Sequence, residues 1–299
     1  MPRIPLPYEL WDVFTAEPFS GNPLAVVPDA SGLSDAQMKR VANEFNLSET
    51  SFVLPPDVLS PKRADVRARY FTPARELPMA GHPSVGTVYA LDAKGMFRGK
   101  DEVMLELAVG PVTMTLERDG DSLTRVWMDQ GVPQLLEMFD RAAVAAALGL
   151  QEGELEPDLP VQLGSAGNPF LLVPVVSLEA LAKINVSASD LTELLHGDHQ
   201  AVFAFTRDAT ESDVRARMLG AAMGISEDPA TGSAHGPLGA YLAAYTDILT
   251  GDSAEFVSHQ GVEMGRKSEL FVRLKRTAAG VRVSVGGSAV QIGEGTLFL

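Results

Sequence analysis

The sequence predicts an α+β protein of two pseudo-symmetric domains, each a mixed or antiparallel barrel-like sheet rolled around one central helix. Three observations carry that expectation. First, FSGNPLAVVPDASGLSDAQMKRVA from Phe19 is echoed by GSAGNPFLLVPVVSLEALAKI from Gly164. Each reads Gly-Asn-Pro, apolar strand, proline, short Leu-containing helix, and the corners at Gly21 and Gly167 lie 167 − 21 = 146 residues apart. Second, MAGHPSVGTVYALDAKG from Met79 resembles ATGSAHGPLGAYLAAY from Ala230, with Gly81 and Gly232 offset by 232 − 81 = 151. Two ordered matches at nearly one offset are the mark of a duplicated supersecondary design. Third, three stretches alternate apolar and polar residues with period 2. They are EVMLELAVGPVTMTLERDG, SELFVRLKRTAAGVRVSVGG and the closing AVQIGEGTLFL. Their tight turns make hairpins, so the sheets are antiparallel or mixed and not doubly wound and parallel.

The helices follow from the 3.6-residue period. SDAQMKRVANEF, GHPSVGTVYAL and RAAVAAALGL read as helical, as does the segment opening after Thr231. The last of these, GSAHGPLGAYLAAY, is small or apolar on nearly every face, which describes a helix buried all round. A chain of 299 residues suits two domains of about 150 residues. We place the boundary in WMDQGVPQLLEMFD, where a strand ends in a Gly-Val-Pro turn, giving domains over 1–128 and 129–299 with the last strand able to cross back to the first.

Composition narrows the function. The chain is 45% hydrophobic and 21% charged, an ordinary globular balance. A net charge of −15 repels phosphate backbones and anionic lipid, so neither nucleic acid nor a membrane surface is an expected partner. There is no cysteine, which excludes disulfides, thiolate nucleophiles, iron–sulfur clusters and Cys-type zinc sites. MPRIPLPYELWDVF lacks the pattern of a signal peptide, and prolines and charge break NPFLLVPVVSLEALAKI short of a membrane span. A soluble, cytoplasmic protein is the expectation. No dinucleotide fingerprint, P-loop or Gly-x-Ser-x-Gly elbow is present.

The two glycine corners carry the chemistry. A buried helix start has backbone N–H groups without intrahelical partners and the positive end of the helix dipole. Thr231 or Ser233 can cap part of the second helix. A ligand carboxylate or phosphate can satisfy the rest, because glycine admits it close to the backbone. AGHPSVG repeats the arrangement, with Pro83 in the first turn, where proline is tolerated. One such corner alone reads as a tight turn. A matched pair, each with polar side chains, reads as two helix starts facing one cleft and holding a small anionic substrate without lysine or arginine.

Three ionisable residues adjoin these corners. Asp228 lies four residues before Gly232, and His82 follows Gly81. Glu49, in NEFNLSETSFVLPP, is flanked by Phe45, Leu47, Phe52, Val53 and Leu54. It is either a part-desolvated acid and base, with its charged form disfavoured, or a solvated turn glutamate. His82 by itself reads as a satisfied structural histidine. His235 is placed to face the cleft one turn into its helix, and His196 and His199 read as loop. Together with His259 they show no metal-ligand spacing, so no metal is expected.

FSGNPLAVV, NLSETSFVL, YFTPARELPMAGHPSVG, EDPATGSAHGPLGAYL and GVEMGRKSEL, in this order across nearly the whole chain, resemble the PhzF family of phenazine-biosynthesis isomerases. The family is similar in fold to diaminopimelate epimerase, with two pseudo-symmetric domains. Enzymes of that fold commonly use a cysteine beside each corner. Motif alignment puts Ala80 and Thr231 at those positions, so a two-thiol mechanism is excluded. The resemblance implies instead a cofactor-independent isomerisation of trans-2,3-dihydro-3-hydroxyanthranilate, in which one carboxylic acid moves a proton between ring carbons. Carried over by motif, that acid is Glu49. His82 and Asp228 orient the substrate, and Gly81, Gly232 and Ser233 present backbone donors to its carboxylate. All six positions match, with minor variation at Met79 and Ser84. The resemblance also implies a homodimer. Two other readings stay open: a family isomerase or epimerase of another small acid, and a catalytically idle ligand-binding relative.

Overall fold

The computed structural model describes residues 4–57, 64–186, 189, 193, 201–220 and 225–299. His196 and His199, read above as loop, lie outside the described residues. The chain divides into two units, Met1–Asp129 with Gly286–Leu299, and Gln130–Val285.

In the first unit, β1 (Pro5–Val13) is antiparallel to β2 (Asn22–Val27), which is followed by α1 (Asp35–Phe45) and β3 (Glu49–Leu54). β2 and β3 run parallel, so the connection between them needs a crossover, and α1 supplies it. α1 starts where the sequence says it should. Ser34 and Gln37 form a reciprocal capping box, and Asn46 ends the helix in the left-handed region at φ 51°. β4 (Val66–Phe71) is antiparallel to β3 and to the short β5 (Glu76–Leu77). After α2 (Gly81–Ala93) come β6 (Glu102–Leu107), parallel to β4, and the antiparallel β7 (Gly110–Asp119) and β8 (Ser122–Asp129). The closing strand of the chain, β18 (Ala289–Phe298), pairs with β1 along its whole length.

α2 runs through the centre of this sheet, and every residue from His82 to Leu91 is buried. It has almost no polar face because the sheet curls round it. A Cβ on Gly86 would lie 2.5 Å from Leu24 Cδ2 and 2.8 Å from Val13 Cγ2, so glycine is what lets helix and sheet approach this closely.

The second unit repeats the plan. β9 (Gln134–Met138) pairs with β10 (Gln162–Ser165), the place that β18 holds beside β1, and α3 (Arg141–Ala147) lies between them in sequence. β10 is antiparallel to β11 (Pro169–Pro174), α4 (Leu178–Lys183) follows, and β12 (Ala201–Thr206) runs parallel to β11. β13 (Val214–Gly220) is antiparallel to β12 and to β14 (Ile225–Asp228). After the central α5 (Gly232–Tyr245), β15 (Ser253–Gln260) runs parallel to β13 and antiparallel to β16 (Ser268–Thr277), and β17 (Gly280–Gly287) leads back to the first unit's residues. Each sequence-predicted helix is found, and both sheets are mixed. EVMLELAVGPVTMTLERDG folds as the β6–β7 hairpin, turning at Ala108 and Val109 with Gly110 and Pro111 already in β7. AVQIGEGTLFL, expected as a hairpin, is instead the single strand β18, because its partner is β1 at the other end of the sequence. α5 carries Pro237 six residues in, at the cost of one intrahelical hydrogen bond.

Candidate active site

Three helices that only build the fold are capped by a side chain. Ser34 caps α1, Asp140 caps α3 and Ser177 caps α4. The two central helices are different. α2 starts from Ala80 and α5 from Thr231, and neither residue makes a side-chain cap bond. The expectation that Thr231 or Ser233 caps α5 is thus not met. The Thr231 hydroxyl is turned back to donate to Asp228 Oδ2 at 2.5 Å, and Ser233 makes no cap either.

In the first unit, Glu49 opens β3, held in register opposite Leu24, with its side chain 16% exposed. His82, second residue of α2, brings its Nε2 to 3.6 Å from Glu49 Oε2. This spacing is not an ion pair. Burial pushes the His82 imidazole down to about 3, so it is neutral across the physiological range. The positive end of α2 opposes a cation there as well. At 3.6 Å the contact is also too long for a hydrogen bond. His82 Nε2 is fully buried and has no hydrogen-bond partner among the described residues. A neutral imidazole with an unmatched nitrogen beside a half-buried carboxylate is a place built to receive a polar group.

The rest of the α2 start is held from within. Ser84 Oγ donates to the Ala80 carbonyl at 2.7 Å and meets the Tyr70 hydroxyl at 3.0 Å. Thr87 Oγ1 donates to the Pro83 carbonyl at 2.6 Å and meets Ser51 Oγ at 2.6 Å. Burial raises the Tyr70 phenol, which stays protonated. These bonds occupy carbonyl groups and leave the N–H groups of Gly81 and His82 uncapped.

In the second unit, Asp228 ends β14 opposite Met218 and is half-buried. The corner that follows is fixed by Gln260. Its amide donates to the Asp228 carbonyl at 2.7 Å and to Thr231 Oγ1 at 2.9 Å, and accepts from the Thr231 N–H at 3.0 Å. Gly232 is buried and Ser233 half-buried at the first two positions of α5. His235 does not face a cleft. It is fully buried, with Nδ1 2.9 Å from the Thr231 carbonyl and Nε2 2.9 Å from Ser258 Oγ. A carbonyl only accepts, so Nδ1 carries the proton and Nε2 accepts from Ser258. Burial pushes this ring down to about 4, and it is a structural histidine.

The six sequence-predicted residues therefore fall as Glu49, Gly81 and His82 around the α2 start, and Asp228, Gly232 and Ser233 around the α5 start. Sequence reasoning missed Gln260. The signal available was its place immediately before GVEMGRKSEL, one of the motifs singled out above. Among the described residues no three His, Asp or Glu side chains gather as a metal site, and no helix is long and apolar enough to cross a membrane.

An α+β chain of two repeated units, each with a mixed sheet around an uncapped central helix, defines the class. The particular family follows from comparison. The family described as phenazine biosynthesis-like protein (PhzC-PhzF) matches residues 11–295, and the chain belongs to it. A protein of Mesorhizobium japonicum described as an uncharacterized isomerase is 38% identical over 304 residues, covering 98% of both chains. A trans-2,3-dihydro-3-hydroxyanthranilate isomerase of Pseudomonas aeruginosa is 37% identical over 301 residues, covering 98% of this chain and 99% of the other. The crystal structure of a PhzF-family phenazine biosynthesis protein from Bacillus anthracis superposes with a TM-score of 0.91 at 29% identity, covering 99% of this chain and 100% of the other. The chain is an isomerase of this family by descent.

Proposed function

We propose that the chain is a cofactor-independent isomerase that moves a proton on a small cyclic carboxylate of the trans-2,3-dihydro-3-hydroxyanthranilate type. The observation that carries the reading is the contrast among helix starts. Among the described residues the three fold-building α-helices α1, α3 and α4 are each closed by their own cap side chain, whereas the two buried central helices are left open, one of them beside Glu49 and the unmatched His82 nitrogen. Open buried N–H groups call for an anion.

In this reading Glu49 gives a proton to one ring carbon and takes one from another, so the net change is an isomerisation and the enzyme returns to its starting state. Part-burial suits a carboxyl group to both halves of that exchange. Neutral His82 orients the substrate by a hydrogen bond and does not compete with Glu49 as an acid. The family resemblance assigns Asp228 to a polar substituent of the ring, and the backbone of Gly81, Gly232 and Ser233 to the substrate carboxylate. The family resemblance brings with it a homodimer, which sedimentation velocity would check, and a cytoplasmic place of action.

The test is proton exchange in heavy water. The wild type and Glu49→Gln are incubated with trans-2,3-dihydro-3-hydroxyanthranilate and a panel of related small acids, and deuterium uptake is followed by NMR. Conversion that depends on Glu49 is the expected result. Glu49-dependent exchange on another acid of the panel would keep the mechanism and change the substrate. Binding without exchange on any acid would defeat the isomerase reading.

A further inference from the structure

The motif that begins at Gly261 has no role in the site as described, yet its neighbour Gln260 touches the segment leading into α5 three times. Gln260 is the last residue of β15 and is wholly buried. Its contacts fix its orientation. The Asp228 carbonyl can only accept and the Thr231 N–H can only donate, so Nε2 faces the first and Oε1 the second. The second Nε2 hydrogen then goes to Thr231 Oγ1. A hydroxyl that accepts there has its own single hydrogen left for Asp228 Oδ2, 2.5 Å away. One amide thus sets both the backbone of the corner and the direction of the hydrogen bond that reaches the carboxylate.

The surroundings hold the same corner. Gly261 has φ +74°, and a Cβ there would lie 2.5 Å from the Arg266 carbonyl oxygen and 2.6 Å from that of Pro229, so no side chain fits where the loop crosses the Pro229 backbone. Ser268, paired with Gln260 across β15 and β16, donates to the Pro229 carbonyl at 2.7 Å. Arg217 binds Glu227 through two 2.9 Å hydrogen bonds and also donates to the carbonyls of Leu181 and Ile184 at 2.8 and 3.1 Å. Successive strand residues point to opposite faces, so anchoring Glu227 commits Asp228 to the other face.

We propose that Gln260 is a positioning residue that acts through the Thr231 hydroxyl to aim the Asp228 carboxylate, and that this is the work of the loop it opens. The inference rests on the reading of Asp228 as part of the active site. Gln260→Met keeps the side-chain length and removes every hydrogen bond; Thr231→Val keeps the volume and removes the hydroxyl. With a substrate that the wild type converts, Gln260→Met lowers kcat about 100-fold and leaves KM within a few-fold. Thr231→Val on top of it adds little, because both act on one hydrogen bond. Where Gln260→Met does not fold, Gln260→Glu serves, since it keeps the acceptor for the Thr231 N–H and loses both donors. Unchanged kcat in a folded Gln260 variant, or losses that multiply in the double variant, would overturn the proposal. Crystal structures of the same variants decide the matter without turnover. The proposal expects the Thr231 hydroxyl to leave Asp228 when Gln260 is replaced, and fails if that contact is intact. Wild-type inactivity on every acid would sink the proposed reaction, and the crystallographic result would still stand.

Discussion

The two units share a plan and differ at the residues that matter. The offset of 146 that relates Gly21 to Gly167 also places Leu24 on Phe170. These two residues open the parallel pairs Leu24–Glu49 and Phe170–Ala201, so Ala201 occupies the place of Glu49. The offset of 151 places Ser233 on His82 and Asp228 on Leu77, and the sheets agree, with Leu77 opposite Tyr70 and Asp228 opposite Met218. Some features survive the divergence in altered form. Ser84 and its counterpart His235 both bond the carbonyl four residues back, at Ala80 and Thr231. The scaffold bond is present in both units and the acid in one only. A symmetric fold thus holds an asymmetric set of groups, which suits one acid that gives and takes a proton better than a pair of facing bases.

That comparison can be broken or sharpened by measurement. The largest effect is expected at its most unequal position: Glu49→Gln should lower turnover about 10³-fold with ligand affinity nearly unchanged. Equal loss of binding would return Glu49 to a structural part. Asp228→Asn should cost about 100-fold in kcat/KM, and a negligible loss would confine the chemistry to the first unit.

Next come the two buried histidines, one in each unit. His82 and His235 are lowered from an ordinary 6.5 to about 3 and about 4. The unfolded chain therefore binds their protons first, and stability present above pH 6.5 is lost as pH falls toward the folded values. At pH 5 the loss is about 2 kcal/mol for each ring. Urea midpoints at pH 7.5 and 5 should show it, and His82→Gln and His235→Gln should each flatten the difference. The smallest effect is at the capped helices. Ser34→Ala and Ser177→Ala should each cost about 1 kcal/mol in thermal denaturation and leave turnover unchanged, the converse of the result at the open helix starts.

Much of this was legible in the sequence because the signals are local. The Gly-Asn-Pro corners and the period-2 alternation of the strands each act over a few residues, and the all-apolar helices announce their own burial. The roles of Thr231 and His235 were misread because they depend on partners far along the chain. Thr231 has the chemistry of a cap, and only Gln260, 29 residues away, turns its hydroxyl from the helix to Asp228. His235 is drawn inward by Ser258, 23 residues on. A one-dimensional pattern gives the residue types at a corner; it does not say which strand will later pass beside it.

The pairing of β18 with β1 has a consequence for how the protein is made. The second unit is one continuous run whose closing strand, β9, is synthesised before the strand it seals. The first unit takes its seal from the last residues of the chain. On the ribosome, β1 waits with one edge unpaired through the synthesis of everything after residue 129, an exposure that favours strand-to-strand association with other nascent chains. The unit translated first is therefore completed after the second, and removing a few residues of β18 damages β1 at the other side of the sequence.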